Sequence, residues 1–313
     1  MEIFFLLVGG IFFLYAGGES LIRGSTALAF RLGLTPLVVG LTVVAFGTSC
    51  PELAVSVSAS LDGNAGISLG NVIGSNICNI ALILGLSALI RPLQVHVQVI
   101  RMQIPIMIAV SLVLALLLMD GILERFEGIC FVLGIITYTV YSVYQARKEF
   151  NESNKEIGID TICKQEVKLL FAYLFVLSGF VMLVLGAKLF VWGAVSLASA
   201  LNISQAVIGL TIVALGTSLP ELATSLMAAI KKEEDIAIGN IVGSNIFNIL
   251  GILGIASLVS PIEIGGISPV DLIVMIVAAI LLLPITRTGF LLSRWEGVFL
   301  LVFYGAYLYY LIP

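Results

Sequence analysis

Residues 40–54 read GLTVVAFGTSCPELA, and residues 209–223 read GLTIVALGTSLPELA. Each segment is apolar apart from a Gly-Thr-Ser-x-Pro-Glu motif, which places Glu52 or Glu221 in the middle of the run. A proline inside a helix cannot donate its backbone hydrogen bond and clashes with the preceding turn, so each helix is expected to kink there. The two segments therefore predict two equivalent broken helices, each carrying a carboxylate near its centre.

The similarity extends over the whole chain at one constant offset of 169 positions. Residues 70–80, GNVIGSNICNI, align with residues 239–249, GNIVGSNIFNI, without a gap. Self-similarity at a fixed spacing indicates repeated structural units. We therefore expect two halves, residues 1–144 and 170–313, joined by a polar linker at 145–169 that forms a short loop.

The composition indicates a membrane protein. The chain has 313 residues, of which 60% are hydrophobic and 11% are charged, whereas soluble domains carry about 25% charged residues. Apolar windows long enough to cross a bilayer recur along the chain, and lipid-exposed backbone must be helical or closed into a barrel. We place ten such windows near residues 3–22, 35–60, 67–90, 102–119, 126–145, 168–190, 205–230, 236–259, 269–286 and 294–312.

Each half contains five of these windows, and five is an odd number. The second half must therefore enter the membrane with the opposite polarity from the first. Inverted repeats with interrupted helices are typical of secondary transporters that bind their substrate near the middle of the membrane. The predicted fold is an all-α membrane protein with ten transmembrane helices in two inverted five-helix repeats.

The positions of the basic residues predict the orientation of the chain. All but two of the 15 Lys and Arg residues fall at alternate connections between the predicted spans. Basic residues in short connections favour the cytoplasmic face. We therefore expect a multi-pass protein of the cell membrane, with both termini extracellular and the 145–169 linker cytoplasmic.

Of the 19 acidic residues, only Glu52 and Glu221 lie deep inside predicted spans. A charge at the centre of a membrane helix is costly and marks a candidate functional residue. A carboxylate that merely packs between helices would normally have a basic partner, and Lys188 is the single basic residue inside a span. We therefore expect bound cations to supply the counter-charge.

Polar residues at helical spacing surround the two glutamates. Residues three or four positions apart share a helix face, and neighbouring spans contribute further hydroxyl and amide groups. Carboxylates, hydroxyls and carbonyls are hard oxygen ligands that suit Ca²⁺ and the similarly sized Na⁺. The candidate metal-binding residues are Glu52, Glu221, Thr48, Thr217, Ser49, Ser218, Ala45, Ala214, Ser75, Ser244, Asn79 and Asn248.

The paired Gly-Thr-Ser-x-Pro-Glu and Gly-Ser-Asn-Ile-x-Asn motifs resemble the alpha repeats of the calcium/cation antiporter superfamily, in its sodium/calcium exchanger branch. The resemblance implies that spans two, three, seven and eight form the ion-binding core, and that spans one and six slide over it. It implies that Glu52, Glu221, Thr48 and Thr217 coordinate Ca²⁺. It also implies Na⁺ sites formed by the same glutamates, the carbonyls of Ala45 and Ala214, and the hydroxyls of Ser49, Ser218, Ser75 and Ser244, with Asn79 and Asn248 completing the central region.

The function that these features favour is Na⁺/Ca²⁺ antiport. An H⁺/Ca²⁺ antiporter is the alternative, because a buried glutamate can carry a proton, and a cation channel is a further one, in which the glutamates form a selectivity ring. We expect no enzymatic activity and no cofactor besides the transported Ca²⁺ and Na⁺. The expected partners are these ions and the lipid bilayer, with neither nucleic acid nor an obligate protein partner.

Overall fold

The computed structural model describes residues 2–157, 168–201, 214–264 and 267–311. Its α-helices are α1 (Glu2–Leu32), α2 (Pro36–Val39), α3 (Ala45–Thr48), α4 (Cys50–Leu61), α5 (Ala65–Ile77), α6 (Leu84–Ile90), α7 (Ile104–Leu117), α8 (Arg125–Ile157), α9 (Leu169–Ala200), α10 (Ala214–Gly216), α11 (Leu219–Lys231), α12 (Glu234–Phe247), α13 (Gly254–Val259), α14 (Pro269–Arg287) and α15 (Arg294–Leu311). Short π-helical stretches continue several of them, namely π1 (Gly40–Val44), π2 (Cys78–Ile83), π3 (Val99–Gln103) and π4 (Asn248–Leu253). The strands are β1 (Leu93–Gln94), β2 (Ile122–Leu123), β3 (Ile262–Glu263) and β4 (Leu291–Leu292), and a 3₁₀ turn covers Leu118–Asp120.

The described residues confirm an all-α membrane architecture. Seven of their helices are long and apolar enough to cross a membrane, and the bent pair Pro36–Thr48 and Cys50–Leu61 makes an eighth candidate. Residues 205–213, at the start of the predicted seventh span, lie outside the described residues.

Three helices extend beyond the predicted spans. Helix α1 continues to Leu32, so Arg23 lies within a helix and not in a connection. It ends only at Gly33, whose φ of 63° suits glycine. Helix α9 likewise continues to Ala200. The expectation of a loop from residue 145 is also wrong, because α8 runs to Ile157 through polar residues that are good helix formers.

The predicted break in the second span is confirmed. The segments on either side of Ser49 are bent by 45°, and Ser49 has φ −83° and ψ 4°. Its repeat equivalent, Ser218, has φ −86° and ψ 5°. A proline near the start of each following helix needs no hydrogen-bond donor. The breaks place Glu52 and Glu221 in the first turns of α4 and α11, where the positive end of the helix dipole favours negative charge.

Helices α1 and α9 pack against each other along glycines spaced seven residues apart. A Cβ atom built on Gly10 would lie 2.7 Å from the backbone nitrogen of Phe190, and one on Gly179 would lie 2.7 Å from that of Leu21. Such close approach requires residues without side chains at the contact. The glycines in this contact are Gly10, Gly17, Gly24, Gly179, Gly186 and Gly193.

Two short antiparallel ribbons join the halves. Strand β1 pairs with β4, with Leu93 opposite Leu292, and β2 pairs with β3, with Leu123 opposite Ile262. The 169-residue offset relates β1 to β3 and β2 to β4. Each ribbon therefore joins non-equivalent connections, one from each half.

The helices with the asparagine motifs form the centre of the molecule. In an apolar 18-residue window of each span, 89% is buried for Glu234–Val259 and 72% for Gly66–Ile90, but only 33% for Glu2–Leu32 and 28% for Leu169–Ala200. The two central spans and the broken helices packed on them position the candidate site, and α1 and α9 form a peripheral pair.

Candidate cation site

The carboxylates of Glu52 and Glu221 are completely buried and lie close to one another's helix break. Ser49 Oγ donates a hydrogen bond to Glu221 Oε1 at 2.9 Å, and Ser218 Oγ donates one to Glu52 Oε1 at 3.1 Å. The serine of each half thus holds the glutamate of the other half. The two predicted carboxylates belong to one site.

One oxygen of each carboxylate remains unpaired. Glu52 Oε2 and Glu221 Oε2 are buried and have no hydrogen-bond partner, and neither glutamate forms an ion pair with a described residue. A buried, ionised carboxylate is costly unless a charge or hydrogen bonds compensate it. This arrangement suits a positively charged ligand.

A pair of amide hydrogen bonds links the two central spans. Asn79 Nδ2 donates to Asn245 Oδ1 at 3.2 Å, and Asn248 Nδ2 donates to Asn76 Oδ1 at 3.0 Å. The Oδ1 atoms of Asn79 and Asn248 are buried without a partner. Both residues lie in the first turn of a π-helical stretch, a feature that often marks functional sites. Their amide nitrogens already donate hydrogen bonds, and their amide oxygens are free to act as ligands.

The two predicted threonines are not equivalent. Thr48 Oγ1 lies within hydrogen-bond distance of Asn240 Oδ1 at 3.1 Å and of the Val44 and Ala45 carbonyls at 3.1 and 3.3 Å, and it lies beside Glu221. Thr217 Oγ1 is buried and has no well-formed hydrogen bond to a described residue, although it lies beside Glu52. The site is therefore more closed around Thr48 than around Thr217.

The structure brings several of the remaining predicted residues into contact with one another. Ser218 Oγ lies 3.3 Å from Ser75 Oγ. The Ala45 carbonyl already accepts hydrogen bonds from the Ser49 amide at 3.1 Å and, more weakly, from Ser244 Oγ at 3.5 Å. Ala214 begins α10, and its side chain lies outside the described part of the chain.

Comparisons with known proteins identify the family of the chain. The family model described as sodium/calcium exchanger protein matches residues 2–145 and 171–312. The chain belongs to the sodium/calcium exchanger family. The predicted resemblance is thereby confirmed.

The relatives of this exchanger-family chain cover nearly its whole length. It is 37% identical over 317 residues to the putative antiporter CaxA of Alkalimonas amylolytica, covering 98% of this chain and 97% of that protein. It is 34% identical over 340 residues to the sodium/calcium exchanger MaX1 of Methanosarcina acetivorans, covering 97% of each. A solved structure of the sodium-calcium exchanger NCX_Mj matches with a TM-score of 0.85 and 33% identity, covering 99% of each chain.

Four asparagines of this exchanger-family site were not among the predicted residues. Asn71 Nδ2 donates to the Glu52 carbonyl at 3.3 Å, and Asn240 Nδ2 donates to the Glu221 carbonyl at 3.5 Å. Together with Asn76 and Asn245, they position the backbone and amides around the carboxylates. The signal was present, because all four recur at the 169-residue offset within the Gly-Asn and Gly-Ser-Asn motifs.

Proposed function

We propose that this protein is a secondary active antiporter that exchanges Na⁺ for Ca²⁺ by alternating access at a site built on Glu52 and Glu221. The observation that carries the proposal is the crossed pair of serine–glutamate hydrogen bonds, which leaves one free oxygen on each buried carboxylate. Two negative charges balance one Ca²⁺ or two Na⁺. Family membership and the name of the related MaX1 exchanger support the same choice of ions.

The proposed ligands are hard oxygen atoms, which Ca²⁺ binds in sets of six to eight. Free oxygens are present on Glu52, Glu221, Asn79, Asn248 and Thr217. The full proposed set also includes Thr48, Ser49, Ser218, Ser75, Ser244 and the carbonyls of Ala45 and Ala214. Since Ala45 and Thr48 are engaged in hydrogen bonds, their participation requires those bonds to be exchanged for contacts with the ion.

We propose ten spans in two inverted halves, with residues 1–144 and 170–313 as the repeats, both termini extracellular and the 145–169 linker cytoplasmic. The strand pairing supports the inversion. Parallel repeats would place β1 on the same face as its equivalent β3, but β1 pairs with β4, which is the equivalent of β2. That pairing is expected when equivalent connections lie on opposite faces of the membrane.

Coupling follows from competition and from the cost of an empty site. Na⁺ and Ca²⁺ require the same carboxylates, so a high Na⁺ concentration on one side displaces Ca²⁺ toward that side. Without a cation, two uncompensated carboxylates resist crossing an apolar barrier. The site therefore reorients when loaded, and the two fluxes are linked.

Flux measurements in proteoliposomes test this function. An outward Na⁺ gradient should drive uptake of radiolabelled Ca²⁺, and an outward-directed proton gradient of equal size should not. Uptake driven by the proton gradient alone would instead establish an H⁺/Ca²⁺ antiporter. Ca²⁺ flux that persists without any counter-ion would establish a channel.

A further inference from the structure

An ion pair joins α1 to the end of α11. Glu19 Oε1 lies 2.6 Å from Lys231 Nζ, and both side chains are about one-third exposed. Exposed pairs of this kind are weak, so a helix movement can break and remake the contact. The pair connects the first half of the chain to the second.

The internal repeat carries the same two positions with their charges exchanged. The 169-residue offset places Lys188 at the equivalent of Glu19, and Asp62 at the equivalent of Lys231. The first half has an acid on α1, and the second half has a base on α9 at the equivalent position. The base Lys231 at the end of α11 likewise corresponds to the acid Asp62 directly after α4. Within the described residues, neither Lys188 nor Asp62 forms an ion pair.

The helices pack closely near the ion pair Glu19–Lys231 and less closely near Lys188. On the side of the formed pair, a Cβ atom built on Gly18 would lie 3.2 Å from the carbonyl of Ala223, so α1 rests directly on α11. On the other side, the equivalent Ala187 and its neighbour Lys188 line a cavity of about 410 Å³ between α9, α4 and α10. Helix α1 rests on α11, whereas the cavity separates α9 from α4, the second segment of the other broken helix; Phe180 on α9 still contacts Gly47 in α3.

The ion site shares this asymmetry. Thr217, whose hydroxyl has no well-formed hydrogen bond to a described residue, lines the same cavity as Lys188, whereas the Thr48 hydroxyl on the closed side lies 3.1 Å from Asn240 Oδ1. The cavity therefore adjoins the less closed edge of the carboxylate site. The formed ion pair lies on the closed side, and the unformed pair lies on the side with the cavity.

We infer that Lys188 and Asp62 form a second ion pair when the cavity between α9 and α4 closes, and that this pair replaces Glu19–Lys231. The four residues are positioning residues that hold each of the two access states in turn. The glycine contacts bind α1 and α9 into one unit, so closing α9 onto α4 requires α1 to leave α11. The inference rests on the proposed alternating access.

Paired cysteines test the exchange directly, because each ion pair links the two halves of the chain. In a background with Cys50, Cys78, Cys130 and Cys163 replaced by alanine, one variant carries Glu19→Cys with Lys231→Cys and a second carries Asp62→Cys with Lys188→Cys. A protease site inserted within residues 158–167 separates the halves on a denaturing gel unless a disulfide joins them. The single cysteine variants serve as controls that cannot join the halves.

Both pairs should cross-link after oxidation in membranes, and the ratio between them should shift when Na⁺ is replaced by Ca²⁺ or by a chelator. Each cross-link should abolish Ca²⁺ flux, which reduction should restore. If Asp62→Cys and Lys188→Cys never join the halves in any ion condition while the Glu19→Cys and Lys231→Cys pair does, the inference is wrong.

A charge exchange gives a second measurement that does not depend on cysteines. Asp62→Lys should slow flux, and adding Lys188→Asp should restore it. A double variant no faster than the single variant would contradict the second ion pair. Cross-linking of both pairs in a protein without Na⁺-driven flux would uphold the ion-pair exchange and refute the proposed choice of ions.

Discussion

Ser49 donates its hydroxyl hydrogen bond to the carboxylate of Glu221 across the two halves of the chain, with 2.9 Å between Ser49 Oγ and Glu221 Oε1. Ser218 repeats the contact toward Glu52 at 3.1 Å. Each hydrogen bond fixes one carboxylate oxygen and directs the other into the site. The Gly-Thr-Ser-x-Pro-Glu motif of one half therefore forms the site only together with the same motif of the other half.

Removing either serine hydroxyl should weaken cation binding. Hydrogen bonds to charged groups contribute about 1.5–3 kcal/mol, and loss of this orientation should raise the KM for Ca²⁺ uptake about tenfold or more. Ser49→Ala and Ser218→Ala should have similar effects, because their contacts are equivalent. The matched control is Ser58→Ala, at an exposed position on the same helix as Glu52. An unchanged KM in both Ser49→Ala and Ser218→Ala would contradict a role of these hydroxyls in cation binding.

The two threonines should respond differently to the same substitution. Thr48→Val removes a buried hydroxyl that can donate to Asn240 Oδ1 or to the carbonyls of Val44 and Ala45, and it should lower the free energy of unfolding by about 1 kcal/mol. Thr217→Val removes a hydroxyl that has no well-formed hydrogen bond to a described residue and should leave stability almost unchanged. Both should reduce Ca²⁺ uptake. Thermal unfolding in detergent measures the effect of each substitution on stability. Equal destabilisation by the two variants would contradict the asymmetry between the two threonines.

Adding a single methyl group at a glycine in the contact between α1 and α9 should destabilise the protein. Gly10→Ala would place a methyl group 2.7 Å from the backbone nitrogen of Phe190, and backbone cannot move aside cheaply, so we expect a loss of about 1–3 kcal/mol in unfolding free energy. Gly9→Ala, one residue earlier, meets no atom within 4 Å and should be tolerated. Comparing the unfolding midpoints of the two variants provides the measurement. Indistinguishable midpoints would mean that the helices do not pack so closely.

The sequence predicted the parts of the fold that depend on hydropathy and on the repeat. It located the helix break beside Pro51 and the buried glutamates, because a proline and a charge in an apolar run have strong local signatures. It did not predict where α1 ends, since the charged turn around Arg23 leaves the apolar window but contains nothing that stops a helix. Hydropathy measures the membrane-crossing part of a helix and not its full length.

For the candidate site, the sequence proposed the residues but not their arrangement in space. The twelve proposed residues follow from motif, from spacing and, for the carbonyls of Ala45 and Ala214, from the family resemblance, but the π-helical turns that contain Asn79 and Asn248 have no local sequence signature. The sequence also did not predict which asparagines form hydrogen bonds with each other. Asn248 donates to Asn76, and Asn79 donates to Asn245. Such contacts between halves appear only once the chain is folded.

The central claim is that Glu52 and Glu221 together carry the transported ions, and their removal tests it most directly. Na⁺-driven uptake of radiolabelled Ca²⁺ into proteoliposomes should be abolished by Glu52→Gln and by Glu221→Gln, each of which keeps the side-chain shape and removes the charge. Glu124→Gln, an exposed acid in a connection, should transport normally. Near-normal exchange by either site variant, at equal protein content, would contradict the account.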